Sequence, residues 1–203
     1  MNLHIIYTPF SGVGLHGGFR GNAWLSHRIE ILKNYTLKSL KNQENQNFIH
    51  WMSFRPEEEL NGHVILLKEY LQSIGYRFIF TFDGLMYHDD KFTNYNLKTK
   101  FRNLSQMLWD SFHSGEWKPI KELWKYTWED KNKTLLSRLT RSLSQLKSHL
   151  NENCEWVYMT RIDSDDMFHK EVTAVIQAQT PAFKRAYTFQ EGYMYNTETD
   201  QLA

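Results

Sequence analysis

The sequence predicts an α/β fold, a three-layer α/β/α sandwich with a mostly parallel central sheet. Two observations carry that prediction. From residue 3 to residue 82, short apolar runs alternate with amphipathic stretches in the order β-α-β-α-β, the alternation that builds a parallel sheet covered by helices. Farther on, a helix with a leucine stripe precedes one more β-favouring run at 156–162, which needs a covering helix of that kind. At 203 residues, with no internal repeat and no linker-like segment, the chain reads as one domain with a sizeable core.

The first strand spans 3–8 and is closed by Pro9, which cannot continue a central ladder. A glycine-rich segment follows, with a literal G-x-G-x-x-G at Gly12, Gly14 and Gly17. A dinucleotide fingerprint needs a tight turn running straight into a helix, and an acid about 20 residues on. Here Pro9 interrupts, further glycines follow, and 33–39 reads Lys-Asn-Tyr-Thr-Leu-Lys-Ser. The segment is therefore read as a loop whose backbone N–H groups can approach phosphates. Over 23–40, Trp24, Leu25, Ile29, Leu32, Leu37 and Leu40 recur at near-helical spacing and predict an amphipathic helix. A polar turn at 42–47 leads to a second strand at 48–54. Arg55-Pro56-Glu57-Glu58-Glu59 then opens the next helix, with Pro early and acids in the first turn, and Gly75 closes it. Residues 76–82 make the third strand.

Residues 85–130 are expected to form an insertion beside the cleft. Its Trp109, Trp117, Trp124 and Trp128 either shape an acceptor pocket or pack the insertion onto the domain, and His88-Asp89-Asp90 reads as an exposed polar turn. Over 131–150 a stripe of Leu135, Leu136, Leu139, Leu143, Leu146 and Leu150 is accompanied by five basic residues and no acid. Such a helix can lie on an anionic membrane. Covering the sheet, with its charges solvated, is the preferred reading. A further strand is predicted at 184–190.

The run at 156–162 delivers Asp163, Asp165 and Asp166 to a strand-to-helix turn, ahead of a helix read over 167–179. In open α/β sheets ligands bind in the crevice beyond the carboxyl ends of the strands, and carboxylate oxygens suit hard cations such as Mg²⁺ or Mn²⁺. Three acids in four residues repel one another unless a cation or several donors offset the charge. The competing reading is structural: Asp and Ser are common in turns and as helix N-caps, where they accept bonds from unpaired backbone N–H groups.

Composition narrows the partners. With 24 basic and 23 acidic residues the net charge is +1, which gives no field to draw the chain to nucleic acid. Cys154 is the only cysteine, so an internal disulfide framework and the usual cysteine-based zinc sites are excluded, and a reducing cytoplasm fits. The amino terminus lacks the basic and apolar regions of a signal peptide. No apolar run approaches the roughly 18 to 20 residues needed to span a bilayer, so membrane contact is expected to be peripheral at most.

Three stretches carry a resemblance. The first is 24–43, with Arg28, Tyr35, Ser39, Leu40 and Gln43 in the pattern Arg-x(6)-Tyr-x(3)-Ser-Leu-x(2)-Gln; the second is Phe48-Ile49-His50-Trp51. The third is Thr160-Arg161-Ile162-Asp163-Ser164-Asp165-Asp166, followed by an aromatic-glycine stretch at 187–195. In these the chain resembles a family of rhamnosyltransferases, glycosyltransferase-like proteins of the A-type, Rossmann-like nucleotide-diphospho-sugar fold. The resemblance implies transfer of a sugar, rhamnose among them, from a nucleotide-diphosphate donor to a glycan or glycoconjugate acceptor. It also implies dependence on Mn²⁺ or Mg²⁺, and a place in polysaccharide assembly in the cytoplasm or at the inner face of a membrane. By the same resemblance Asp163 contacts the ribose or base side of the donor, Asp165 ligates the metal bridging the two phosphates, and Asp166 lies next to it. Thr8 and Pro9 flank the nucleotide, while Arg28 and Arg161 are candidate phosphate contacts through their forked donors, or else partners of a structural carboxylate. Glu191 is the one carboxylate placed to serve as a catalytic general base. Enzymes of this fold usually continue past the metal motif with more strands, so the chain, ending at Ala203, looks truncated at its carboxyl end. A non-catalytic sugar- or nucleotide-binding module of the same fold is therefore the alternative. An Asp-x-Asp phosphohydrolase is disfavoured, because such a motif is expected after the first strand and with Thr or Val following.

Overall fold

Strand β1 (Leu3–Pro9) is the axis of the sheet, and every residue from His4 to Pro9 is buried, as in a parallel strand covered on both faces. The computed structural model describes residues 2–11, 21–55, 58–82, 101, 104, 105, 108, 109, 112, 113, 141, 142, 144–148 and 154–182, and the backbone of 195, 196, 201 and 202. Strand β2 (Ile49–Ser53) pairs with β1 from Ile5↔Ile49 to Pro9↔Ser53. On the other side β4 (Val157–Arg161) pairs from Leu3↔Val157 to Tyr7↔Arg161. With β3 (Phe78–Thr81) outside β2, the order is β3-β2-β1-β4 and every pairing is parallel. Pro9 belongs to the strand after all, as its last residue; the next donor, the Phe10 N–H, bonds the Ser53 carbonyl at 3.0 Å.

One face of the sheet is covered by a helix that runs without a break from α1 (Gly21–Ile31) through a π-helical turn (Leu32–Thr36) into α2 (Leu37–Lys41), and by α3 (Gly62–Ser73). Leu25, Ile29, Leu32 and Leu37 meet Val64, Leu67 and Leu71 over Met52 and Phe54. The π turn was not foreseen, yet it has a reason in the sequence. Leu37 lies five positions after Leu32, and a regular α-helix would carry it about 140° around the axis from Leu32. Widening one turn, so that the Leu37 N–H bonds the Leu32 carbonyl, takes up the extra residue and leaves both leucines buried.

The opposite face, Ile5, Tyr7, Ile49, Trp51 and Ile79, closes against Leu146. Residues 144–147 are helical, with Leu146 buried and Lys147 exposed. Leu146, the one described member of the predicted leucine stripe, thus reaches the sheet on its second face. No described helix is long and apolar enough to cross a membrane.

Two helix starts differ from the sequence reading. The helix expected to open at 55–59 begins at Gly62, where the Asn61 side chain accepts the His63 N–H at 3.0 Å. Glu58 lies instead in a tight turn, its N–H on the Arg55 carbonyl and its carboxylate accepting the Arg55 N–H, which removes it from the helix. The helix expected over 167–179 is the short α4 (Val172–Gln177). Its missing turns are used elsewhere: the Phe168 N–H donates to Ser39 Oγ, and the His169 carbonyl accepts from Gln43. Most of the expected insertion at 85–130, the strand at 184–190 and the glycine loop lie outside the described residues. Within the insertion, Phe101, Leu104, Ser105, Leu108, Trp109, Phe112 and His113 are helical. Strands β5 (Tyr195–Asn196) and β6 (Gln201–Leu202) form a separate antiparallel pair.

Gly75 ends α3 as expected. Its φ of 63° lets its N–H reach the Gln72 carbonyl and the Tyr76 N–H reach the Leu71 carbonyl, the paired bonds of a Schellman cap. A Cβ there would meet nothing within 4 Å, so Gly75→Ala should cost only the backbone strain, about 1 kcal/mol by urea denaturation. A cost below a few tenths would mean that the cap does not form in solution.

Candidate functional site

The chain winds from β1 outward to β3 and then returns to the far side of β1 as β4, so strand order reverses between β1 and β4. At such a reversal the connections leaving the two neighbouring strands diverge, and a crevice opens beyond their carboxyl ends. The acid turn lies there. The Ile162 N–H still bonds the Tyr7 carbonyl at 3.0 Å, and the Ile162 side chain is buried with Ile6, Leu40 and Phe48. Asp163 is therefore the first residue released from the ladder.

Within the turn the Asp166 N–H bonds the Asp163 carbonyl at 3.1 Å, and Ser164 is buried. Asp163 takes a forked pair of bonds from Arg161, Nε at 3.1 Å and Nη2 at 3.0 Å. Asp165 is paired with Arg28, Nη1 to Oδ2 at 2.5 Å, across from helix α1. The Arg28 guanidinium also lies 5.5 Å from the centre of the Trp24 ring. No ion pair to Asp166 is found among the described residues, and its carboxyl is pushed above the ordinary carboxylate range, first by partial desolvation and then by the charges of Asp163 and Asp165.

Two guanidinium groups thus face three carboxylates and offset part of their mutual repulsion. The helix that follows bears on the structural reading of the acids. Helix α4 starts at Val172, its cap position is Glu171, and the Glu171 side chain makes no cap bond. None of the three acids caps α4, so of the structural reading only the turn applies here.

Among the described residues no three His, Cys, Asp or Glu side chains converge as a ready-made metal site. The donor set nevertheless fits a hard cation that shares its shell with a ligand, since Mg²⁺-type sites are commonly built from one or two carboxylates, substrate phosphates and water. Asp165 and Asp166, both exposed, have the right chemistry for that share.

The other expected residues are placed as follows. Thr8 and Pro9 end β1 beside the crevice, but both are buried, and Thr8 Oγ1 lies 2.8 Å from His50 Nε2, so this strand offers a ligand its backbone rather than its side chains. Arg28 and Arg161 both stand at the acid turn, each engaged with an aspartate. Glu191 lies outside the described residues.

Sequence reading passed over two further groups. At the carboxyl ends of β1 and β2 the Ser11 hydroxyl donates to the Glu58 carboxylate, which also accepts the Arg55 N–H at 3.0 Å, and both Arg55 and Glu58 are buried. This cluster fixes the exit of β1 against that of β2. The second group is Ser39 and Gln43, which were visible only as members of a motif and which hold the segment after the acids. Comparison of the chain with protein-family models, with curated proteins and with solved structures gives no match.

Proposed function

We propose that this chain is a glycosyltransferase domain of the A-type fold that binds a nucleotide-diphospho-sugar in the crevice between β1 and β4. The observation that carries the reading is the position of Asp163, Asp165 and Asp166 at the reversal of strand order, with Asp163 and Asp165 paired to arginines and none of the three capping α4. The resemblance of the 24–43 helix and the acid turn to rhamnosyltransferases supports the same assignment, with rhamnose as a candidate sugar and a glycan or glycoconjugate as acceptor.

In this reading the acceptor oxygen bonds to the anomeric carbon as the bond from that carbon to the diphosphate breaks, the electron pair leaves with the diphosphate, and negative charge grows on the departing oxygen. Asp165 and Asp166 would hold a Mn²⁺ or Mg²⁺ ion, which would supply Lewis-acid stabilisation of that charge. Asp163 sits nearer β4, where it serves the ribose or base. Arg161 and Arg28 already lie at the turn, and guanidinium forks that pair with carboxylates bind phosphate oxygens in the same two-pronged way. Glu191 is the residue proposed to take the acceptor's proton.

Calorimetry with nucleoside diphosphates in the presence and absence of Mn²⁺ tests the reading. Asp165→Asn should lower the Mn²⁺-dependent affinity by a factor on the order of 100, because the ion loses a charged ligand. Equal affinity in the variant and the parent chain would refute the metal assignment. Binding of the donor without transfer or hydrolysis would assign the chain to the non-catalytic module instead.

A further inference from the structure

We infer that the helix from α1 to α2, together with its exit, is the template that sets the conformation of the acid turn, with Ser39 and Gln43 as its positioning residues. The inference rests on the reading of that turn as the metal and diphosphate site, and it adds how the site is kept in shape.

The turn is anchored from two directions. Upstream, β4 holds it through the Ile162 N–H on Tyr7. Downstream there is no regular structure between Asp166 and Lys170, and the chain is fastened instead to the end of α2. Ser39 Oγ accepts the Phe168 N–H at 3.2 Å. Gln43 Nε2 donates to the His169 carbonyl at 2.8 Å and to the Ser39 carbonyl at 3.1 Å, while its Oε1 accepts the Thr173 N–H at 3.1 Å. The Glu44 N–H adds a bond to the Lys170 carbonyl at 2.8 Å, and Thr173 Oγ1 donates to the Asn45 carbonyl at 2.7 Å. Leu40 supplies the apolar backing, packed with Ile162 and against Phe168.

Gln43 is 4% exposed, and both ends of its amide are in use, so its orientation is determined and its removal would strand the buried Thr173 N–H. The backbone ladder reaches only Ile162, so the main chain of 163–167 runs between it and the Ser39 and Gln43 clamps, with the side chains of Asp163 and Asp165 paired to Arg161 and Arg28 on the way. Loosening the clamps leaves β4 in place and frees the acids to spread under their mutual repulsion. Sites that need several oxygens on one ion are sensitive to such loosening, because the groups orienting the ligands matter nearly as much as the ligands.

Ser39→Ala and Gln43→Met remove the clamps while roughly keeping volume, and Ser39→Thr keeps the hydroxyl. Calorimetry with Mn²⁺ and inorganic pyrophosphate is combined with amide hydrogen exchange. Ser39→Ala and Gln43→Met should each weaken Mn²⁺-dependent pyrophosphate binding tenfold or more, with Ser39→Thr within threefold of the parent chain. Exchange should quicken at 164–169 and stay unchanged in β1 and β2. Parent-like affinity in both clamp variants overturns the inference. Should the parent chain itself fail to bind Mn²⁺ and pyrophosphate, the proposed function is what falls. The template is then decided by exchange alone: quickening confined to 164–169 upholds it, and none, or a uniform change, overturns it.

Discussion

Between pH 6.5 and pH 4 this protein is expected to lose several kcal/mol of stability, and two buried histidines are the cause. His4, on β1, and His50, on β2, are each 1% exposed or less. Burial lowers His4 to about 4 and His50 to about 3. Each ring is satisfied as a neutral group. His4 Nδ1 faces Gln177 Nε2 at 3.0 Å, an atom that can only donate, so the proton sits on Nε2 and is given to Thr160 Oγ1 at 2.8 Å. His50 lies between the hydroxyls of Thr8, at 2.8 Å, and Tyr76, at 3.2 Å, and either tautomer serves. The unfolded chain takes up two protons near pH 6.5 that the folded chain refuses until much lower pH. Stability is therefore full above pH 6.5 and falls as pH drops, with a limiting slope of about 2.7 kcal/mol per pH unit from the two rings. Each would contribute a loss on the order of 3 kcal/mol by pH 4, against a total of roughly 5 to 15 kcal/mol for a typical domain. Asp166 acts in the opposite direction, since its raised carboxyl binds its proton more readily in the folded chain, but it is too exposed to reverse the trend. Denaturant titrations from pH 7.5 to 4.5 measure the slope. His4→Gln and His50→Gln, destabilised at neutral pH, should each flatten it by about one proton. An unchanged slope in the double variant would refute the account.

The same histidines show what the sequence could and could not disclose. The strand containing His4 is otherwise apolar, and a strand of that kind is buried on both faces in a parallel sheet, so a buried imidazole in need of partners could have been expected. The partners could not. Thr160 and Gln177 lie 156 and 173 residues away, and nothing local points to them. Distance in sequence also explains the two helix starts. Apolar spacing over 167–179 looks helical, but it carries no record that Phe168 and His169 are bonded to Ser39 and Gln43, some 130 residues earlier. The run of acids at 57–59 suits a helix's first turn by composition, whereas burial of Glu58 beside Ser11 decides its place in the fold. Features set by local chemistry were legible: the strand alternation, the Gly75 cap, the leucine stripe that delivers Leu146, and acids at the end of a strand. The pairing of Arg28 with Asp165 was only partly so. Arg28 was marked as a phosphate contact or as the partner of a structural carboxylate, and in the structure it pairs with Asp165.

Phe54→Ala is expected to cost about 3 to 5 kcal/mol, the range for deleting a buried aromatic ring that cannot be replaced by collapse of its surroundings. Phe54 follows β2 directly and is fully buried, and its N–H bonds the Thr81 carbonyl at 2.8 Å. Its ring lies 4.9 Å from that of Phe10, 4.8 Å from Phe80 and 5.9 Å from Phe82, in the offset and tilted arrangements that aromatic pairs prefer. These rings belong to the exits of β1, β2 and β3, so one side chain ties together three carboxyl ends of the sheet. Leu25 and Val64, from the covering helices, close the same cluster and leave little room for relaxation. Urea denaturation should show the midpoint falling with the slope unchanged, and thermal unfolding should drop by roughly 10 °C. Phe54→Leu, which keeps most of the volume, should cost less than half as much. The site consequence follows from Phe10, which precedes Ser11 at the start of the loop leaving β1. With its stacking partner gone, the β1 wall of the crevice loosens while β4 and its acids remain. Phe54→Ala should therefore weaken nucleoside diphosphate binding severalfold at temperatures where the chain is still folded. A stability cost below about 1 kcal/mol would mean that these rings do not pack as a unit, and the shared anchoring of the three strand ends would have to be abandoned.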